Sequence, residues 1–119
     1  MKKLLVFVIL FLLVGCSSNE ENSKLISYMD AKEKIINEGA VIVDVRTEAE
    51  YNEKHIDGSI LLTLDTIDEN SVSDIIDSKD TPIIVYCRSG NRSSQALAKL
   101  ESLGYKKVYD LGSIDNWKE

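Results

Sequence analysis

Between residues 24 and 119 the apolar positions follow two alternating rhythms. Short β-branched runs, Ala40 to Val45 (AVIVDV), Pro82 to Cys87 (PIIVYC) and Lys106 to Leu111 (KKVYDL), have the length and composition of buried strands. Pro82 suits a first strand position, where it withholds no ladder N–H that is needed. The intervening segments carry apolar residues at helical spacing. Ala31, Ile35 and Ile36 predict a helix capped by Ser27, with Asp30 in its first turn, and ended by Gly39. A short polar helix capped by Thr47 is expected in TEAEYNEKH, and a turn at Asp57-Gly58 before a short strand in IDGSILLT. Ile67, Val72, Ile75 and Ile76 predict an amphipathic helix through TIDENSVSDIIDSKD. Ala96, Leu97, Leu100 and Leu103 predict another, stopped by Gly104. Lys24 to Ile26 reads as extended, and GSIDNWKE as a closing turn or short helix. Strands alternating with helices predict a parallel or mostly parallel sheet covered on both faces.

One apolar run fits neither rhythm. Leu4 to Val14 (LLVFVILFLLV) follows Lys2 and Lys3 and runs into GCSSN. It is shorter than the ~20 residues a bilayer-spanning helix needs, and its charged start and small-residue ending describe an export signal. The ending LVGC, Leu13 to Cys16, resembles the lipobox of bacterial lipoproteins. That resemblance implies removal of residues 1–15, lipidation of Cys16 and a flexible tether over residues 16–23 (CSSNEENS), leaving a domain over residues 24–119. The expected location is extracytoplasmic, held at a bacterial cell membrane by the lipid on Cys16.

Loss of Lys2 and Lys3 would take the net charge from −6 to −8. So acidic a domain is a poor partner for nucleic acid or an anionic lipid surface, although a local basic pocket can still hold a small anion. The chain has two cysteines, Cys16 and Cys87. With Cys16 lipidated, Cys87 has no partner in the chain and is a free thiol in an oxidising compartment.

Cys87 ends a buried strand, and ligands of parallel sheets gather at the carboxyl ends of strands. Asp44 to Arg46 end the other central strand. On strand position alone a cysteine is more often packed core. The loop Cys87-Arg88-Ser89-Gly90-Asn91-Arg92 points elsewhere, because it puts two arginines and a glycine beside the thiol at a helix start. Unpaired N–H groups of the first helical turn, the helix dipole and a Gly-permitted nest of amides form an anion site and favour thiolate.

VDVRTEAEYNEKHIDGSI resembles the signature of rhodanese-like domains, VYCRSGNRSSQAL the active-site segment of their single-domain members, and YDLGSIDNW the closing element. The resemblance spans about residues 24–119. It implies an α/β rhodanese-like fold with a central parallel five-stranded sheet and helices on both faces. It also implies a sulfurtransferase, in which Cys87 takes sulfane sulfur from a small donor anion such as thiosulfate and passes it to a thiol or cyanide. By motif position Cys87 is the nucleophile and Arg88, Ser89, Gly90, Asn91 and Arg92 build the donor pocket. Asp44, Arg46, Glu50 and His55 then hold the fold rather than act as acids or bases, and neither metal nor organic cofactor is implied. Related phosphatases and arsenate reductases carry one more loop residue, which makes phosphate or arsenate chemistry the minor alternative. A module that captures sulfur or a partner without turnover is the alternative outside enzymology. Departures at Gly112-Ser113 and at ILLTL (residues 60–64) concern the pocket rim.

Overall fold

The computed structural model describes residues 24–119. The apolar run, Cys16 and the tether lie outside the described residues. Helix α1 (Tyr28–Glu38) begins at Ser27, whose hydroxyl accepts the Asp30 N–H at 3.1 Å, and ends at Gly39 with φ 69°. Strand β1 (Val41–Asp44) leads into the short helix α2 (Glu48–Glu53), strand β2 (Ile60–Leu61) and helix α3 (Glu69–Ser73). Strand β3 (Ile83–Cys87), helix α4 (Asn91–Ser102) and strand β4 (Val108–Ser113) follow, and a 3₁₀ turn over Ile114–Asn116 closes the chain.

The strands form one parallel sheet in the order β2-β1-β3-β4. Four strands stand where five were expected. The extended piece at residues 24–26 contributes a single parallel bridge from Leu25 to Asp110 on the free edge of β4, with the Ile26 N–H donating to the Asp110 carbonyl at 3.1 Å. It occupies the place of a fifth strand but is too short to pair as one.

Alternation along β3 divides the core. Ile83, Val85 and Cys87 face a cluster with Val72, Ile76, Ala96 and Leu100, while Ile84 and Tyr86 face one with Ala31, Ile56, Leu111 and Ile114. Both faces are therefore covered, as the apolar strands require. Two helices depart from the sequence pattern. Ile36 is 72% exposed, because only Ala31 and Ile35, four residues apart, share the inward face of α1. The helix read through residues 66–80 is shorter. A reciprocal cap between Asp68 and Ser71 starts it, and regular helix stops at Ser73. The chain then tightens so that both Ile75 and Ile76 donate to the Val72 carbonyl, and two β-branched residues followed by Asp77 and Ser78 do not propagate a helix.

Strand β4 also runs two residues further than its apolar core predicts. Val85 pairs with Asp110 but Tyr86 pairs with Gly112, so Leu111 is the extra residue of a bulge. The Asp110 carboxylate accepts the Gly112 N–H at 2.8 Å, and Gly112 adopts φ 84°. This brings Gly112 and Ser113 alongside Tyr86 and Cys87, at the carboxyl edge where the loop begins.

Candidate active site

Cys87 is the last residue of β3 and is fully buried. The backbone turns at Gly90, where φ is 102°, a left-handed value that only glycine takes without strain. An alanine Cβ there would meet the Gly112 Cα at 3.8 Å, an ordinary contact, so it is conformation rather than space that calls for glycine. Helix α4 starts immediately afterwards, and no side-chain oxygen caps it. The sulfur takes that part: Cys87 Sγ accepts from the Gly90 N–H at 2.9 Å and from the Ser93 N–H at 3.3 Å. Ser93 is the third residue of the helix, whose N–H a capping oxygen ordinarily receives.

These contacts set the thiol's ionisation. Burial pushes the Cys87 thiol up. The polar surroundings of Ser93, whose N–H reaches the sulfur while its hydroxyl donates to the Gly90 carbonyl at 3.1 Å, together with the Gly90 and Ser89 amides, outweigh it and hold the thiol below its ordinary value. Such a geometry favours an anionic sulfur poised at a helix N-terminus.

The two loop arginines are placed differently. Arg88 and Ser89 are exposed, and Arg88 lines a cleft of about 420 Å³ with Arg46, Glu50, Glu53, Lys54, Ile114 and Asp115. Among the described residues Arg88 has no ion-pair partner. Arg92 instead forms a bidentate pair with Glu50, at 2.8 and 3.0 Å. Asn91 is exposed at the start of α4, and its carbonyl accepts the Ser94 hydroxyl at 2.9 Å.

At the same carboxyl ends of β1 and β3, where Asp44 pairs with Tyr86, lies a buried polar network. Asp44 Oδ1 accepts the Arg46 backbone N–H and Nε at 2.9 and 3.0 Å, and Oδ2 accepts Arg46 Nη2 and the Tyr86 hydroxyl, both at 2.7 Å. Arg46 also donates to the Lys54 carbonyl at 2.6 Å, which ties the end of β1 to the chain beyond α2. His55 is exposed, stacks on Tyr51 with ring centroids 3.7 Å apart, and donates from Nδ1 to the Tyr51 carbonyl at 2.7 Å. It shares no hydrogen bond with Cys87 among the described residues.

The cysteine ends a strand and its sulfur closes the next helix, while the Asp44–Arg46 pair stands at the end of the neighbouring strand. The family profile of the Rhodanese-like domain matches residues 27–119. The chain belongs to the rhodanese-like domain family. This rhodanese-like domain is 34% identical over 96 residues to the thiosulfate sulfurtransferase GlpE of Coxiella burnetii, covering 80% of this chain and 87% of that protein. It is 39% identical over 84 residues to the thiosulfate sulfurtransferase GlpE of Pseudomonas fluorescens, covering 68% and 72%. Among solved structures it superposes on a Bacillus halodurans protein with TM-score 0.72 and 29% identity, over 87% of this chain and 77% of that one. It superposes on a rhodanese with anions from E. coli with TM-score 0.60 and 28% identity, over 65% and 89%.

The structure sets Cys87 at the end of β3, Arg88, Ser89 and Gly90 in the turn, and Asn91 and Arg92 in the first turn of α4, with Arg88 at the cleft and Asp44 and Arg46 paired at the end of β1. Three features of the site were not legible in the sequence. Ser93 lay beyond the motif's last arginine. Tyr86 read as one more strand residue. The Glu50–Arg92 pair joins residues 42 positions apart, which no local pattern reveals.

Proposed function

We propose that this rhodanese-type sulfurtransferase carries sulfane sulfur as a persulfide on Cys87, and that an anionic donor such as thiosulfate supplies it. The observation that carries this reading is the helix-capping sulfur. An unprotonated thiolate at the end of β3, held by the Gly90 and Ser93 N–H groups, is the nucleophile such chemistry requires. The thiolate attacks the outer sulfur of thiosulfate. A Cys87 S–S bond forms, the donor's S–S bond breaks, and sulfite leaves with the bonding electron pair. The persulfide keeps one negative charge, and the N–H groups that held the thiolate are placed to hold it. A thiolate or cyanide then attacks the outer sulfur, returning the electron pair and the charge to Cys87. Arg88, exposed in the cleft and without an ion-pair partner among the described residues, is the group that meets the donor's charge.

The enzyme is placed outside the cytoplasmic membrane by a lipid on Cys16, a reading supported by the LVGC ending and the polar tether. One experiment tests both parts: intact-mass spectrometry of the protein isolated from bacterial membranes, before and after thiosulfate, and again after cyanide. The expected result is a diacylglycerol adduct on Cys16, a gain of one sulfur that Cys87→Ser abolishes, and loss of that sulfur to cyanide. Absence of sulfur uptake by the wild type sinks the enzymatic reading. Uptake that no acceptor discharges supports capture without turnover. An unmodified Cys16 sinks the anchoring.

A further inference from the structure

Glu50 is fixed before Arg92 reaches it. It is the third residue of α2, and Oε1 accepts the Thr47 N–H at 2.9 Å and the Thr47 hydroxyl at 3.0 Å, completing the helix's capping box. The same carboxylate receives both Arg92 Nη atoms. The side chains are 20% and 32% exposed, so the pair is only partly screened by water. Arg92 foremost, and then the Thr47 N–H, hold the Glu50 carboxyl down at about 2, so it is ionised throughout the working range. Arg92 also feels the Cys87 thiolate electrostatically, from the first turn of α4. Arg46 is committed to Asp44, while Glu53, Lys54 and Asp115 across the cleft and Asp65 beside Arg92 make no ion pair with it. The loop thus has two guanidiniums, one neutralised and one open to the cleft.

We propose that Glu50 is a positioning residue that masks the charge of Arg92, so that Arg88 and the loop N–H groups, rather than both arginines, meet the anionic donor. The proposal rests on the sulfurtransferase reading of Cys87 and specifies how that site is tuned. A second bare guanidinium would stabilise thiolate further, but thiolates lose nucleophilicity as their pKa falls, and a more cationic pocket also retains the sulfite product. Masking leaves the thiolate held mainly by hydrogen bonds, which keeps it reactive.

The test is a charge cycle of Glu50→Gln, Arg92→Gln and the double variant. Gln preserves the capping box, so Glu50→Gln removes charge while keeping the helix start. The thiol pKa is read on unloaded protein from the pH dependence of iodoacetamide alkylation, and KM from thiosulfate turnover. Glu50→Gln is expected to lower the thiol pKa by ~0.5 pH unit, about threefold in the thiolate-to-thiol ratio, and to lower the KM for thiosulfate by about the same factor. Arg92→Gln moves both the other way, because it leaves an unmatched carboxylate beside the loop. The double variant returns close to wild type. Two single variants that shift the thiol in the same direction, or a Glu50→Gln thiol that does not move, overturn the proposal and leave Glu50 a mere fastening. Should Arg92→Gln fail to fold, the sign of the Glu50→Gln shift decides alone. Failure of the sulfurtransferase reading would show separately, as a wild type that takes up no sulfur while its thiol pKa still responds to Glu50.

Discussion

Tyr86 precedes the cysteine and faces the opposite side of the sheet, yet it is as central to the site as any loop residue. Its buried hydroxyl donates to Asp44 at 2.7 Å, accepts the Ile56 N–H at 3.1 Å, and lies 3.0 Å from the Ser59 hydroxyl. Removing it leaves a buried carboxylate oxygen and a buried amide short of a partner. Tyr86→Phe is therefore expected to lower unfolding free energy by ~1–3 kcal/mol, read from urea denaturation. The same residue leaves a mark at high pH. Burial pushes its phenol up to about 12, whereas an unfolded tyrosine ionises near 10. The folded state thus holds a proton that the unfolded chain gives up. That stability is complete below about pH 10 and is lost as pH rises toward 12. Tyr86→Phe should flatten this part of the stability profile; an unchanged slope would place the phenol elsewhere. At this scale the sequence was legible wherever chemistry is local. Cys87, Gly90 and the Asp44–Arg46 pair sit within a few residues of the strand ends that present them. Tyr86 and Glu50 were not legible as partners, because the parallel register alone brings them to residues more than 40 positions away.

Among the elements, α4 matters most, because its N-terminus is built around a sulfur instead of an oxygen. The glycine that makes this possible is Gly90. Gly90→Ala is expected to destabilise the fold by ~1–2 kcal/mol through left-handed strain, and to raise the thiol pKa as the Gly90 amide shifts away from Sγ. Thermal denaturation and the alkylation pH profile measure the two effects, and a loss of stability with no change in the thiol would separate the turn from the chemistry. Helix starts were readable at Ser27 and Thr47 because capping residues announce them. The length of α3 was not readable, since apolar spacing continues through Ile75 and Ile76 after the backbone has left the helix. Nor was the bulge at Leu111, because a strand pattern does not show which residue its neighbour skips. That bulge sets Gly112 against the cysteine loop, so part of the active-site wall was hidden in strand register.

For the whole molecule, the two-faced sheet joins fold and site through β3, whose side chains pack both clusters and whose last residue carries the sulfur proposed to react. The closure of α4 by Cys87 Sγ means that thiol ionisation and folding are one linked equilibrium. The folded thiol lies below its ordinary value, so the thiolate adds stability that is present above the unfolded thiol's pKa. It is lost as pH falls through the folded value. Melting temperature, with the Cys87→Ser profile subtracted, should rise across that window, and parallel profiles would refute the linkage. Iodoacetamide, which leaves the sulfur neutral and bulky, should lower the melting temperature, while a persulfide that keeps its charge should largely preserve it. If Cys87 carries sulfur as proposed, the domain becomes a thermometer of its own cargo: how tightly it holds together would report whether its sulfur is bare, loaded or spoiled.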